Sequence, residues 1–134
     1  MDVSIKNEIT NFFKKLPGAL AVVLFGSQAK DQSTLNSDID LAVFFDPHQL
    51  PTFDQFMDQK EALSTQLQTP VDLINLNKAN PILKHQIFTQ GTLLLNQKPS
   101  YLTEFASRSL VEYEDLKRIR APIEKAILKG RVYG

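Results

Sequence analysis

Two aspartates separated by one residue are the side chains of this sequence best suited to chemistry. Asp38 and Asp40 lie at the start of a predicted strand, where the two-residue period of a strand points both carboxylates to one face. Two like charges held so close together repel each other unless a cation lies between them. Mg²⁺ is bound by one or two carboxylates together with the oxygens of substrate phosphates. The pair therefore predicts a magnesium site that receives a phosphorylated substrate.

A glycine and a serine precede this pair, and a third carboxylate follows it. Gly26 ends an apolar run and permits close backbone approach or an unusual φ there, and Ser27 offers a hydroxyl and a backbone N–H to a phosphate oxygen. Asp72 begins another predicted strand, where it could hold a second metal ion or accept the proton of an attacking hydroxyl. These features favour metal-assisted, in-line phosphoryl chemistry, in which charge neutralisation and positioning supply most of the rate. Spacing alone leaves open which phosphate is attacked.

Each of these features also has an ordinary structural interpretation. An Asp-x-Asp pair is common at a strand edge, Gly-Ser after a strand is a frequent turn, and a lone aspartate at a strand end is usually a solvated charge. The prediction therefore depends on finding all of them together, in this order along the chain.

The pattern resembles the signature of the DNA polymerase β-like nucleotidyltransferases. Gly26-Ser27, ten intervening residues and Asp38-Ile39-Asp40 reproduce its Gly-Ser-x10-Asp-x-Asp form, and Asp72 stands where its third carboxylate is expected. The small size of the chain and the run over residues 37–43 are similar to the minimal nucleotidyltransferases, which are antitoxin partners of HEPN proteins. The resemblance covers about residues 18–96.

This resemblance implies an enzyme with ATP as substrate and Mg²⁺ as cofactor. It places Gly26 and Ser27 on the triphosphate. It also implies a catalytic, metal-binding triad of carboxylates, composed of Asp38, Asp40 and Asp72. The expected reaction is transfer of AMP from ATP to a tyrosine of a HEPN RNase toxin, which neutralises the toxin.

The loop after Ser27 departs from the family pattern. Many relatives have an arginine after Gly-Ser and a glycine further along, where this sequence has Gln28 and the pair Lys30-Asp31. Lys30 could supply the missing positive charge, and it is the third predicted nucleotide-binding residue.

Two other functions remain open from the sequence. A binding-only antitoxin would neutralise its partner by contact and would carry vestigial carboxylates. A small-molecule nucleotidyltransferase of the aminoglycoside type generally has an additional helical substrate-binding domain, for which little of the sequence remains after the core.

The helices and strands that must position these residues are predicted to form a small mixed sheet with flanking helices. Apolar runs predict four strands: 19–25, 39–45, 71–76 and 92–95. Helical spacing and cap residues predict helices over four stretches: 2–16, 52–67, 80–90 and 100–129. The last stretch is expected to divide near Ala121, because Pro122 removes a backbone donor and restricts its predecessor. The fold class is therefore α/β (α+β), with one domain over residues 1–134, a core at about 18–96 and C-terminal helices at about 100–129.

Composition narrows the possible partners and compartments. The 15 basic residues equal the 15 acidic residues, so no bulk positive field exists to hold nucleic acid, and no direct nucleic-acid binding is expected. The absence of cysteine excludes disulfides and thiolate chemistry and is typical of a reducing cytoplasm. No apolar stretch approaches the roughly 20 residues that span a bilayer, so no membrane association is expected.

Other candidate residues favour structural roles. His48 and His85 share no ligand spacing. The C-terminal stretch over residues 117–131 has six basic residues against Glu124 alone, which is typical of a solvated helix face but would also suit an acidic partner surface. The apolar residues that recur at helical spacing in the last helix, from Leu102 to Ile123, are expected to be core, although some of them could dock a partner helix.

Overall fold

The computed structural model describes residues 1–26 and 38–128, which form helices and strands in the predicted order. The elements are α1 Val3–Lys14, β1 Ala19–Phe25, β2 Ile39–Phe45, α2 Phe53–Leu67, β3 Val71–Asn75, a 3₁₀ turn Leu76–Lys78, α3 Pro81–Gln90, β4 Thr92–Asn96 and α4 Pro99–Leu128.

The strands of the described residues form one mixed sheet in the order β3-β2-β1-β4. β1 pairs antiparallel with both β2 and β4, whereas β2 pairs parallel with β3. The predicted mixed sheet with flanking helices is therefore confirmed. The two longest strands are central, and their continuous apolar sequences suit strands that are covered on both faces.

Helices cover both faces of the sheet, so that successive residues of a central strand are buried against different helices. From β2, Ile39 and Leu41 pack in a cluster with the buried residues of α1 and α2. Ala42 and Phe44 of the same strand face the opposite way and pack with residues of α3 and α4. Asp40 follows the alternation of Ala42 and Phe44, so its side chain belongs to the face that α3 and α4 cover.

Short-range capping signals define the helix starts as the sequence predicts. At α2, the backbone N–H of Gln55 donates to the Thr52 hydroxyl at 3.2 Å, and the Thr52 N–H donates to Oε1 of Gln55 at 2.9 Å. This reciprocal capping box satisfies two backbone donors at the helix start. Asp2 caps α1, and Asn80 caps α3, which has Pro81 in its first turn.

The predicted division of the last helix near Ala121 is wrong. α4 continues from Pro99 to Leu128 with Pro122 in its interior. Proline removes the hydrogen bond to the carbonyl four residues earlier, at Arg118. Residues 117–125 are exposed, so water can hydrate that carbonyl and the helix can continue. None of the helices within residues 1–26 and 38–128 is long and apolar enough to cross a membrane.

Candidate active site

The sheet places two of the predicted carboxylates side by side. Asp40 of β2 is aligned with Asp72 of the parallel strand β3, and on its other side it is aligned with Phe25 of β1. Asp38 directly precedes β2 and is exposed to solvent. The three aspartates therefore lie at one end of the sheet, next to Gly26, which directly follows β1.

Gly26 is required by both its backbone conformation and its surroundings. Its φ is +76°, a left-handed conformation that L side chains rarely adopt. A Cβ built at this position would overlap Oδ2 of Asp40. The close approach that the sequence predicts for Gly26 is therefore an approach to the Asp40 carboxylate, which occupies the space a side chain would take.

The electrostatic environment disfavours a negative charge on Asp40. Burial raises the pKa of this carboxyl group, and the negative charges of Asp72 and Asp38 raise it further. A carboxylate that is partly desolvated and surrounded by like charges is stabilised when a cation binds beside it. This end of the sheet is therefore suited to binding a cation.

One lysine approaches the acidic group from α2. The Nζ atom of Lys60 lies 4.0 Å from Oδ1 of Asp72, and both side chains are partly exposed to solvent. Lys60 is not identifiable as a site residue from the sequence, because its proximity to Asp72 depends on how α2 packs beside the edge strand β3. A long ion pair at an exposed site contributes little to stability.

The chemistry of these donors fits Mg²⁺. Among the described residues, no three Asp, Glu, His or Cys side chains are gathered tightly enough to hold an ion between them. Asp40 and Asp72 nevertheless provide oxygen donors on adjacent strands, and burial together with the negative charges of Asp72 and Asp38 raises the pKa of Asp40. Oxygen ligands with uncompensated negative charge are those that a hard divalent cation prefers.

Two predicted nucleotide-binding residues, Ser27 and Lys30, lie outside the described residues. Their contacts with a triphosphate, and the consequences of Gln28 and Asp31 between and beside them in the sequence, remain predictions.

The histidines make contacts that suit structural roles. The backbone N–H of His48 donates to Oδ1 of Asp46 at 2.9 Å in the turn after β2. The imidazole of His85 stacks on the ring of Tyr113, with ring centroids 3.8 Å apart and an interplanar angle of 3°. His85 thus packs α3 against α4.

The mixed sheet with its flanking helices has the fold of a nucleotidyltransferase. Residues 7–100 match the family described as Polymerase beta, Nucleotidyltransferase, and the chain belongs to this family. It is also 30% identical over 122 residues to protein adenylyltransferase MntA of Shewanella oneidensis, an alignment that covers 88% of this chain and 84% of MntA. The resemblance to minimal nucleotidyltransferases is thereby confirmed.

Solved structures of toxin–antitoxin complexes contain similar chains. One, a toxin–antitoxin crystal structure with AMP-PNP, matches with a TM-score of 0.80 and 27% identity, over 92% of this chain and 98% of the other. A second, a tri-AMPylated Shewanella oneidensis HEPN toxin in complex with an MNT antitoxin, matches with a TM-score of 0.77 and 25% identity, over 96% and 99% of the two chains. These similarities extend over nearly the whole length of the described fold.

Proposed function

We propose that this chain is an antitoxin that transfers AMP from ATP to a tyrosine of a HEPN toxin and so neutralises it. The observation that carries the proposal is the alignment of Asp40 with Asp72 on adjacent strands, with the Asp40 carboxylate against Gly26. The chain that has this arrangement is 30% identical to an adenylyltransferase over most of its length. ATP as substrate is supported by the AMP-PNP in one similar complex, and a HEPN acceptor by the AMPylated toxin in another.

Asp40 and Asp72 on adjacent strands would hold the metal in this mechanism, and Asp38, exposed directly before β2, would join them when the ion binds. Bound Mg²⁺ would neutralise charge on the triphosphate and favour in-line displacement at the α-phosphorus. Gly26 leaves space for the Asp40 carboxylate beside the end of β1 and presents its backbone there. Ser27 and Lys30 would bind the triphosphate oxygens.

The transfer exchanges one phosphorus–oxygen bond for another. The tyrosine Oη bonds to the α-phosphorus as the bond to the pyrophosphate oxygen breaks, and pyrophosphate leaves. The proton of the tyrosine hydroxyl passes to a carboxylate, and Asp72 is suited to accept it because it is exposed at the strand edge. The Nζ atom of Lys60, 4.0 Å from Oδ1 of Asp72, brings a positive charge beside this carboxylate.

Mass spectrometry tests the proposal directly. The purified chain is mixed with ATP, Mg²⁺ and a purified HEPN toxin of the kind present in the similar complex, and the HEPN mass is expected to rise by one or more AMP units. Asp40→Asn is expected to abolish the increase while preserving the fold, because the substitution relieves carboxylate repulsion in the metal-free protein.

The outcomes separate the three functions that the sequence leaves open. An unchanged HEPN mass together with a tight complex would identify a binding-only antitoxin. Modification of an aminoglycoside, with the HEPN protein unchanged, would identify a small-molecule enzyme. Transfer by Asp40→Asn at the wild-type rate would contradict the metal assignment.

A further inference from the structure

The end of α4 extends past the helix against which α4 packs. α3 and α4 are joined by the stacking of His85 on Tyr113 and by the pair of Lys84 with Glu112, whose atoms lie 3.5 Å apart. Ile82, in the first turn of α3, lines a cavity of about 310 Å³ together with Leu116 and Arg120. After Leu116 almost every residue of α4 is exposed. We call residues 117–128 the α4 extension.

The α4 extension exposes an apolar stripe. Ile119, Ile123 and Ile127 follow Leu116 at intervals of three, four and four residues, which places them on one face of the helix. Their exposed fractions are 66%, 56% and 40%. The stripe continues the face that α4 buries in the domain, so the helix presents a core-type surface where the described residues leave it uncovered.

Charged residues beside the stripe indicate the chemistry of its partner. The α4 extension has four basic residues and a single acidic one, Glu124, which pairs with Arg120 at 3.1 Å. Packing the extensions of two copies together would bring like charges into contact. A partner with acidic residues beside an apolar stripe is complementary in both respects.

The form of the stripe favours a protein helix over a lipid surface or nucleic acid. One apolar residue per turn makes a narrow seam of the kind that packs against a second helix. The α4 extension contains no Trp, Tyr or Phe, the residues that typically anchor a helix at a bilayer surface. An apolar seam at its centre would also be poorly matched to a phosphate backbone.

We propose that the α4 extension is the surface on which the HEPN partner docks, through a helix that carries acidic residues beside an apolar stripe. The inference rests on the proposed function for the existence of this partner. The docking surface lies on a different element from Asp40 and Asp72, so the substrate protein is held by one part of the chain and modified by another.

Substitutions on two faces of α4 test the docking surface. Ile119→Glu and Ile123→Glu are expected to weaken binding of the purified HEPN protein at least about tenfold in calorimetry, since a charge would then face the apolar seam. Val111→Glu is the matched control, because Val111 is 61% exposed on the same helix but lies outside the stripe. The control is expected to bind as the wild type does.

The readouts separate failure of the docking surface from failure of the proposed function. Circular dichroism and melting temperature show whether each variant is folded, and the thermal shift produced by ATP and Mg²⁺ shows whether its nucleotide site is intact. If the wild type neither binds nor modifies the HEPN protein, the proposed function and the docking surface both fail. If Ile119→Glu and Ile123→Glu bind as tightly as Val111→Glu, only the docking surface fails.

Two further measurements test other occupants of the stripe. Sedimentation of the wild type alone would overturn the proposal if it showed a dimer that Ile119→Glu dissociates. Binding to phosphatidylglycerol vesicles, lost in Ile119→Glu while HEPN binding persists, would overturn it in favour of a membrane surface.

Discussion

At the scale of single residues, the candidate site depends on the close approach of the Asp40 carboxylate to Gly26. Oδ2 of Asp40 lies so close to Gly26 that the Cβ of any other residue at position 26 would overlap it. The sequence predicts that Gly26 has an unusual backbone conformation, because glycine at the end of an apolar strand often does. It does not indicate that the close neighbour is Asp40, since that contact follows from the pairing of β1 with β2.

Gly26→Ala is expected to abolish AMP transfer, because the added methyl group displaces the Asp40 carboxylate. The left-handed backbone alone costs about 1–2 kcal/mol for a residue with a side chain, so the melting temperature should fall as well. Gly18→Ala is the matched control: its φ is +84° and its Cβ would meet Gln49, but it precedes β1 at the opposite end of the strand.

Transfer assays and thermal melts of both glycine variants distinguish the two effects. Gly18→Ala should lose stability and keep activity in the folded protein, whereas Gly26→Ala should lose both. Similar activity of the two variants at a temperature where both are folded would show that activity does not depend on the space that Gly26 leaves for the Asp40 carboxylate.

At the scale of elements, α4 shows how a local rule can mislead. Proline in a helix interior predicts a break, but α4 continues through Pro122 because the exposed carbonyl of Arg118 can be hydrated. The capping signals at Thr52 and Asn80 are more reliable, since the capping residue and the backbone groups it satisfies lie within three residues of each other.

Pro122→Ala is expected to stabilise the α4 extension without stabilising the domain. Alanine is more favourable than proline in a helix interior by about 3 kcal/mol, but almost every residue of the extension is exposed to solvent. Amide exchange should therefore slow within residues 117–126 while the melting temperature stays unchanged. A clear rise in melting temperature would show that the extension unfolds together with the core.

At the scale of the whole molecule, the site combines residues that lie far apart in the sequence. Asp38 and Asp40 come from the start of β2, Asp72 from β3, and Lys60 from the helix between these strands. A ligand that binds such a site bridges several elements, and it stabilises the folded state according to its concentration relative to its Kd.

AMP-PNP with Mg²⁺ is therefore expected to raise the melting temperature of the wild type. At a ligand concentration of 100 Kd the gain in free energy of unfolding is about 2.7 kcal/mol. Chelation by EDTA should remove most of the gain, because the triphosphate would then face uncompensated carboxylates. Asp38→Asn should also reduce it. An equal thermal shift with and without Mg²⁺ would contradict a metal-dependent site.

The sequence alone determines the features that depend on short-range chemistry. The Gly-Ser and Asp-x-Asp spacing, the apolar runs of β1 and β2, and the caps of α1, α2 and α3 can all be read from neighbouring residues. Their physical causes act within a few positions along the chain, so the family and nearly all element boundaries follow from them.

Only the tertiary structure decides which distant residues meet. It aligns Asp40 with Asp72 and brings Lys60 close to Asp72. It also ends the contact between α3 and α4 near Ile82, which leaves the apolar stripe of the α4 extension exposed. These outcomes depend on strand order, on the face that each helix covers and on relative helix lengths. Such relationships arise from packing among all the elements, and no local pattern encodes them.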